Sequence, residues 1–362
     1  MSASPPRPAA HVARLAPYSV PSAGRRGMLR FDFNENLLGP SPLVLERLRA
    51  VGPEDIALYP DETEALAAVR RRFVRGPDLD AVLTSGVDEG IRLVCDAFLR
   101  PDDRVLLLEP GYPLYRFYAT LAGASVEEAT SGLDLAFPRQ AIERAVAGGC
   151  RLLVLGDPNN PTGTPAPQGL IEAIAARHPE TIVLADQAYA EFAGRAIPND
   201  LAGLPNLIVA RTFSKAYGLA GLRAGVLLGH RDTLGWIARM RSPYAVNALA
   251  LMALCAALED EAYVARYVEE VRAARGVLRA GLAAMGIPSY PSAANFLLAR
   301  FGEEAPRLRE ALLRRGVLVR DRSAHPLLRG TLRLGVGTRA QAALCLEAVR
   351  AALAEVRDGR ER

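Results

Sequence analysis

The sequence predicts an α/β protein with a large domain built on a largely parallel sheet and a smaller α+β domain. Between residues 81 and 186, short apolar segments alternate with segments that carry apolar residues at helical spacing. These short segments are continuously apolar, which is typical of strands buried on both faces of a parallel sheet. After residue 281 the order changes to strand, helix, two strands and helix, which indicates a separate α+β unit.

The predicted domain organisation has three parts. Residues 1–45 form an N-terminal arm and part of the small domain, residues 46–240 the large domain, and residues 241–362 the small C-terminal domain. The first 15 residues, rich in proline and alanine, are expected to be a loosely held arm.

Turn residues and apolar periodicity set the element boundaries. Strands are expected at residues 29–33, 81–84, 104–108, 126–129, 151–155, 181–185, 207–209, 296–301, 317–320 and 332–336. Helices are expected at residues 42–50, 63–75, from Val87 and Asp88 after Gly86 to about residue 99, from the segment 111–115, and at 138–147, 168–177, 305–315 and 340–356. The region 231–281 is predicted to hold two helices, broken near Ser242-Pro243 because proline cannot continue a helix.

The composition limits the function. With 50% hydrophobic and 23% charged residues, a chain of 362 residues can bury a substantial core. The formal charge of +4 is small and the arginines are dispersed, so no nucleic-acid surface is expected. The four cysteines and four histidines show no metal-ligand spacing, which indicates no metal site and a reducing cytoplasm. No apolar run is long enough to span a membrane, and the N-terminus lacks a signal core.

One lysine stands out. Of the 44 basic residues, 43 are arginine and only Lys215 is lysine. A guanidinium stays protonated at working pH, so arginine cannot replace an amine that must attack a carbonyl. Lys215 therefore suggests Schiff-base chemistry. The alternative is a surface lysine in a codon-biased genome, but Lys215 follows an apolar strand and precedes a glycine-rich segment that contains Arg223.

Polar residues follow four of the predicted strands. They occur at Ser85-Gly86, Asp157 to Gly163, Asp186 to Tyr189 and Thr212 to Lys215. In open α/β sheets, ligands bind outside the carboxyl ends of the strands. Each segment alone could be a turn or a helix cap, but the four together predict one site. The glycines after Lys215 do not have the spacing of a dinucleotide fingerprint.

Nine segments of the chain stand out as motifs: APYSVPSAGRR, FNENLLGPSP, LYPD, TSGVDEGI, DPNNPTGT, ADQAYAEF, TFSKAYGLAGLRAG, VLVRDRS and LRLGVGT. Together they resemble fold-type I aminotransferases that use pyridoxal phosphate, and most closely the histidinol-phosphate aminotransferase family. The resemblance implies a mostly parallel seven-stranded sheet, a homodimer, and amino-group exchange between L-histidinol phosphate and 2-oxoglutarate. The chain departs from the family pattern at Gln187, usually Glu, and at Leu37, usually Pro.

The resemblance assigns the cofactor ring to five residues. Lys215 would hold pyridoxal phosphate as a Schiff base and move the substrate proton. Asp186 would pair with the pyridine nitrogen, and Tyr189 with Asn160 would bind the phenolic oxygen. Tyr112 would stack on the ring. Without a cofactor, Asp186 could be a helix cap, Tyr189 a core aromatic and Tyr112 a helix-start aromatic.

The cofactor phosphate is assigned to five other residues. Val87 and Asp88 would donate backbone N–H groups at a helix N-terminus, which favours anions. Thr212 and Ser214 would contribute hydroxyls, and Arg223 a guanidinium fork.

Further residues are implied at the partner and substrate sides. Tyr59 would reach the phosphate in the partner subunit, although it could instead pack locally. Tyr18, Arg320 and Arg333 would bind the acidic group of the substrate, together with Asn160. Most of the 43 arginines must be surface residues, and only the motif positions favour these two.

Two other functions remain open from the sequence. An aromatic or other amino acid aminotransferase, or a phosphothreonine-type decarboxylase, would share every cofactor residue and differ in the substrate pocket. A non-catalytic, cofactor-sensing or scaffold protein would be indicated by loss of Lys215 or Asp186, and both residues are present.

Overall fold

Two β-sheets organise the chain. The computed structural model describes residues 7–13, 15 and 24–358. Over these residues the strands are β1 (Leu29–Phe31), β2 (Leu79–Thr84), β3 (Arg104–Glu109), β4 (Ser125–Thr130), β5 (Leu152–Gly156), β6 (Ile182–Asp186), β7 (Leu207–Thr212), β8 (Gly225–His230), β9 (Phe296–Arg300), β10 (Val317–Asp321) and β11 (Thr331–Gly335). The α-helices are α1 (Ala10–Ala13), α2 (Pro42–Arg49), α3 (Pro53–Ala57), α4 (Thr63–Phe73), α5 (Gly86–Phe98), α6 (Pro113–Leu121), α7 (Arg139–Ala147), α8 (Leu170–Arg177), α9 (Ala190–Ala193), α10 (Arg231–Met240), α11 (Ala248–Glu259), α12 (Glu261–Ala284), α13 (Ala305–Arg314) and α14 (Arg339–Asp358).

The larger sheet has seven strands in the order β2-β8-β7-β6-β5-β3-β4. All neighbours are parallel except β8, which is antiparallel to both β2 and β7. Every residue of β5, β6 and β7 is buried, which is why these strands are apolar apart from Asp186, Arg211 and Thr212 at the carboxyl ends of β6 and β7. The predicted α/β fold with a mostly parallel seven-stranded sheet is confirmed.

The smaller sheet has four strands in the order β1-β10-β11-β9. The N-terminal strand β1 is parallel to β10, while β11 is antiparallel to both β10 and β9. The chain segment after β1 therefore leaves the small sheet and continues toward the large one. The contacts of this segment matter for the site described below.

The helical region after β8 differs from the prediction. We expected two helices between residues 231 and 281, but the structure has three, α10, α11 and α12. The expected break near Ser242-Pro243 is present. A second break follows at Asp260, whose carboxylate accepts a hydrogen bond from the backbone N–H of Tyr263 at 3.1 Å and caps α12.

Strand β8 was not predicted. It begins at Gly225 and ends at His230, so glycine and histidine interrupt the apolar strand pattern at its ends. Among the described residues, no helix combines the length and apolar composition needed to cross a lipid bilayer.

Candidate active site

A cavity of about 560 Å³ lies at the carboxyl ends of β5, β6 and β7 and extends to the small sheet. Twelve of the predicted site residues line it: Val87, Asp88, Tyr112, Asn160, Asp186, Tyr189, Thr212, Ser214, Lys215, Arg223, Arg320 and Arg333. Two are not among its lining residues. Tyr18 lies outside the described residues, and Tyr59 lies elsewhere on the surface with 78% of its side chain exposed.

Lys215 is half-buried in the turn that follows β7. Its Nζ donates a hydrogen bond to the carbonyl oxygen of Phe33 at 2.9 Å, in the segment that follows β1. Burial, and then the positive charge of Arg333, lower the pKa of Lys215 to about 8. A substantial fraction of this amine is therefore neutral near physiological pH, as a nucleophile or base requires.

Asp186, the last residue of β6, is buried. Its Oδ2 accepts a hydrogen bond from the Tyr115 hydroxyl at 2.6 Å, and its Oδ1 accepts one from the backbone N–H of Ala188 at 3.0 Å. Burial raises the pKa of Asp186 to about 6. The following helix, α9, has Tyr189 as its N-cap residue, so Asp186 is not a helix cap. Among the residues that the structure describes, no cationic side chain hydrogen-bonds to Asp186, and such a buried carboxylate suits a protonated nitrogen of a ligand.

Tyr189 is the centre of a hydrogen-bond network. Its hydroxyl oxygen accepts hydrogen bonds from Nδ2 of Asn34 at 3.0 Å and from Nδ2 of Asn160 at 3.4 Å. Oδ1 of Asn160 in turn accepts one from Nη1 of Arg333 at 2.6 Å. The other terminal nitrogen of Arg333 donates to the carbonyl oxygen of Asp32 at 2.6 Å. The network joins the large sheet, the small sheet and the segment after β1.

The N-terminus of α5 forms an anion cradle. The first N–H groups of a helix have no intrahelical partner and favour negative charge. Arg223 lies beside them: Nη2 contacts Oδ2 of Asp88 at 3.2 Å, and Nη1 contacts Oγ of Ser214 at 3.3 Å. The Thr212 hydroxyl accepts a hydrogen bond from the backbone N–H of Ser214 at 3.2 Å. Hydrogen-bond donors from the α5 N-terminus, from Arg223 and from the hydroxyl groups at the end of β7 therefore surround the space where an anion would bind.

Two glycines make the cradle possible. A Cβ at Gly225 would lie 2.7 Å from the carbonyl carbon of Gly86 and 2.8 Å from the backbone nitrogen of Val87. A Cβ at Gly86, where φ is +77°, would lie 2.5 Å from Nη2 of Arg223. Only glycine lets the start of β8 and the guanidinium of Arg223 approach the helix so closely.

Arg320 and Arg333 lie opposite each other in the antiparallel pair β10 and β11. Directly opposed residues of two strands project to the same face. Across the described residues, the side chain of Arg320 makes neither a hydrogen bond nor an ion pair. The two guanidinium groups therefore present positive charge to the cavity from the small sheet.

Sequence reasoning missed four polar or charged residues of the cavity lining: Asn34, Glu35, Tyr115 and Arg322. Tyr115 follows Tyr112 by three residues, which places both on one face of α6. Arg322 follows Arg320 by two residues, the spacing that keeps two strand residues on one side. These spacings could have identified both. Asn34 has a positive φ of 54°, a backbone feature that cannot be read from the sequence.

Tyr59 stacks on Tyr244, with ring centroids 4.3 Å apart and an interplanar angle of 21°. Both tyrosines are exposed, at 78% and 52%. Tyr59 therefore has a local partner and a free edge on the surface of this chain.

The arrangement can hold an aromatic ring that carries an anion, a basic nitrogen and a carbonyl. The cradle on α5 fits the anion, Asp186 fits the nitrogen, and the Lys215 amine can attack the carbonyl. Within the described part of the chain, no cluster of three or more His, Cys, Asp or Glu side chains is arranged to hold a metal ion.

Comparisons with known proteins agree with this geometry. The family model for aminotransferase class I and II matches residues 26–349. The chain is 38% identical to the histidinol-phosphate aminotransferase of Symbiobacterium thermophilum over 92% of each chain. It is 37% identical to histidinol-phosphate aminotransferase 1 of Thiobacillus denitrificans over 95% of this chain and 93% of that one. The crystal structure of histidinol-phosphate aminotransferase from Sinorhizobium meliloti in complex with pyridoxal-5'-phosphate superposes with a TM-score of 0.84, 26% identity and 97% coverage of both chains.

Proposed function

Since the chain belongs to the class I and II aminotransferase family, we propose that it transfers the amino group of L-histidinol phosphate to 2-oxoglutarate, with pyridoxal 5'-phosphate as cofactor. One observation carries the proposal: the single lysine, the buried Asp186 and the anion cradle of Arg223 line one cavity. The names of the relatives at 37–38% identity support the substrate, and the cofactor bound in the Sinorhizobium meliloti enzyme supports the cofactor.

Different residues of the cavity bind different parts of the cofactor. Bound pyridoxal phosphate supplies an electron sink for the negative charge that develops at the substrate Cα. Asp186 holds the proton on the ring nitrogen, because its buried carboxylate gains a cationic partner there. Tyr112 covers the ring, and Tyr189 with Asn160 donates to the phenolic oxygen. For the phosphate, the α5 N-terminus at Val87 and Asp88 joins Thr212, Ser214 and Arg223.

Lys215 is proposed to transfer the proton of the substrate Cα. Its Nζ would bind the cofactor through a Schiff base, and once a substrate amine had displaced it, the free Nζ would take the proton from the substrate Cα. This role requires a neutral amine, and the lowered pKa of Lys215, about 8, provides it.

The substrate side is a wall of arginines. Arg320, Arg322 and Arg333 line the cavity from the small sheet. Glu35, an acidic residue that also lines the cavity, is already paired with Arg25 at 3.1 Å. The wall therefore offers excess positive charge to two dianions, the phosphate monoester of the donor and the dicarboxylate of the acceptor. Tyr18 and Asn160 complete the proposed substrate contacts.

The substrate assignment predicts a large effect of the phosphate group. Histidinol should react at least about 100-fold more slowly, in kcat/KM, than histidinol phosphate, because two charge-assisted hydrogen bonds contribute about 1.5–3 kcal/mol each. Single-turnover bleaching of the cofactor absorbance measures this with histidinol phosphate, histidinol, phenylalanine, tyrosine, glutamate and phosphothreonine. If an amino acid bleaches the absorbance and histidinol phosphate does not, the substrate assignment is wrong. Release of carbon dioxide would indicate a decarboxylase.

A pair of matched variants controls this test. Arg322→Gln should raise the KM for histidinol phosphate more than that for histidinol. Arg329→Gln, at an exposed residue of the same loop, should change neither value.

Tyr59 provides the basis for a proposed homodimer. We propose that its exposed hydroxyl reaches the cofactor phosphate of the partner subunit. Tyr59→Phe should then weaken cofactor binding about tenfold, the effect of one charge-assisted hydrogen bond, without dissociating the dimer. Equilibrium dialysis measures the first effect and analytical ultracentrifugation the second. Tyr244→Phe keeps the ring stack and serves as the control. A monomer, or an unchanged dissociation constant, would contradict the proposal.

Two further assignments are also proposals. The domain division at residues 1–45, 46–240 and 241–362 is supported by the two sheets, since β1 pairs with β10 of the C-terminal part.

The free thiols of the four cysteines suit the reducing cytoplasm, where we place the enzyme.

A further inference from the structure

We propose that Tyr115 is a positioning residue that fixes the Asp186 carboxylate and the Tyr112 ring relative to each other, and thereby the cofactor between them. The inference rests on the proposed cofactor roles of Asp186 and Tyr112. Tyr115 itself has none of the roles assigned above.

Tyr115 contacts both groups with one side chain. It lies in the first turn of α6 and is only 5% exposed. Its hydroxyl donates to Oδ2 of Asp186 at 2.6 Å, joining two residues that are 71 positions apart. Its ring meets the ring of Tyr112 edge to face, with centroids 5.4 Å apart and an interplanar angle of 83°. Edge-to-face contact is a favoured geometry for aromatic pairs, so the contact fixes the Tyr112 ring.

The neighbouring strand leaves space for this hydroxyl. Gly156 ends β5 and is the register partner of Asp186 on β6. A Cβ at Gly156 would lie 3.4 Å from the Tyr115 hydroxyl oxygen and 3.1 Å from Cα of Asn159. A larger residue at this strand end would crowd both the tyrosine and the turn after β5.

The hydrogen bond from Tyr115 partly offsets the effect of burial on the pKa of Asp186. Burial raises the pKa of Asp186, while the Tyr115 hydroxyl, the Ala188 N–H and the charge of Lys215 lower it; the charge of Asp88 raises it. The pKa of Tyr115 is itself raised well above its usual value, chiefly by burial, so the hydroxyl stays a donor at working pH. Tyr115 therefore helps to keep Asp186 ionised, which is the state that can hold a proton on a ring nitrogen.

The test compares Tyr115→Phe with Tyr118→Phe. Tyr118 is a half-buried tyrosine of the same helix, and its hydroxyl makes no hydrogen bond with the described residues. In cofactor-free protein labelled with ¹³C at the aspartate Cγ, the Asp186 signal is assigned by its absence in Asp186→Asn. Tyr115→Phe should raise the pKa of this carboxyl by about one unit, and Tyr118→Phe should leave it unchanged.

A second measurement concerns the cofactor. Tyr115→Phe should raise the dissociation constant of pyridoxal phosphate about tenfold and shift the pH dependence of the bound-cofactor absorbance. Equal titration curves and dissociation constants for wild type, Tyr115→Phe and Tyr118→Phe would overturn the proposal. The failure of the proposed function is a different result: wild-type protein would then bind no pyridoxal phosphate, whatever the Asp186 titration shows.

A third variant covers the case in which Tyr115→Phe does not fold. Tyr115→3-fluorotyrosine keeps the ring and the hydroxyl and makes the hydroxyl a stronger donor. The pKa of Asp186 should then fall relative to wild type. A pKa that stays the same or rises would overturn the proposal.

Discussion

Replacing Lys215 with arginine is expected to abolish amino-group transfer, with a loss of at least about 10⁴-fold in kcat. Arginine keeps the positive charge and the length of the side chain, so the Phe33 carbonyl contact can persist. It cannot lose a proton at working pH, so it can neither attack the cofactor carbonyl nor take the Cα proton. Steady-state assays with a 2-oxo acid acceptor measure the loss.

The sequence itself provides the control for this prediction. Because Lys215 is the only lysine among 362 residues, borohydride can trap the cofactor only at this side chain or at the amino terminus. Peptide mass spectrometry of the wild type should find the modification at residue 215, and Lys215→Arg should carry none there. Full activity in the arginine variant, or a label confined to the amino terminus, would contradict the assigned role.

Replacing Asp186 with asparagine is expected to change activity and stability in opposite directions. Activity should fall on the order of 10³-fold, because an amide cannot balance the charge of a protonated ring nitrogen. The cofactor-free protein should become more stable at pH 8, by up to about 3 kcal/mol, because a buried charge is removed. Urea denaturation of cofactor-free wild type and variant at pH 5 and pH 8 measures the second effect.

The sign of the pH effect follows from the raised pKa. The ordinary aspartate value is 3.8, and in the folded protein the pKa of Asp186 is about 6. The stability that this group contributes is complete below 3.8 and is lost as the pH rises through 6. Asp186→Asn should therefore differ most from wild type above pH 6 and least near pH 4.

A second buried aspartate offers a matched contrast. Asp157 follows β5 as Asp186 ends β6, and burial raises its pKa as well. Its Oδ2, however, pairs with Nε of Arg195 at 3.1 Å. Asp157→Asn should destabilise the protein at pH 8, since it leaves Arg195 without its carboxylate. If both variants shift the free energy of unfolding in the same direction, the difference in ion pairing between Asp186 and Asp157 does not explain the destabilising effect of the Asp186 charge.

Much of the site could be predicted because strand ends are visible in the sequence. Asp186, Thr212 and Lys215 follow apolar segments, and the rule that parallel strands end at one edge brings them together. The partners across the cavity were harder to predict. The contacts of Lys215 with Phe33 and of Tyr189 with Asn34 join residues 182 and 155 positions apart, and no local pattern encodes them.

The remaining differences also have physical reasons. Strand β8 was not predicted because it begins with a glycine, which is a poor strand former. Gly225 is needed there because the backbone of Gly86 lies too close to leave room for a side chain. The boundary between α11 and α12 lies at Asp260, a single helix-capping residue within a long helical pattern. Tyr115 received no role from the sequence because the partner of its hydroxyl, Asp186, is 71 positions away.

The contact of Arg333 with the carbonyl of Asp32 spans 301 positions and has a consequence for the newly made protein. Translation supplies Lys215, Asp186 and the α5 cradle well before it supplies the arginines of β10 and β11. All seven strands of the large sheet are therefore translated before the arginines of the small sheet. If these arginines bind the substrate as proposed, the nascent chain carries the Lys215 amine before it carries the residues that select the substrate.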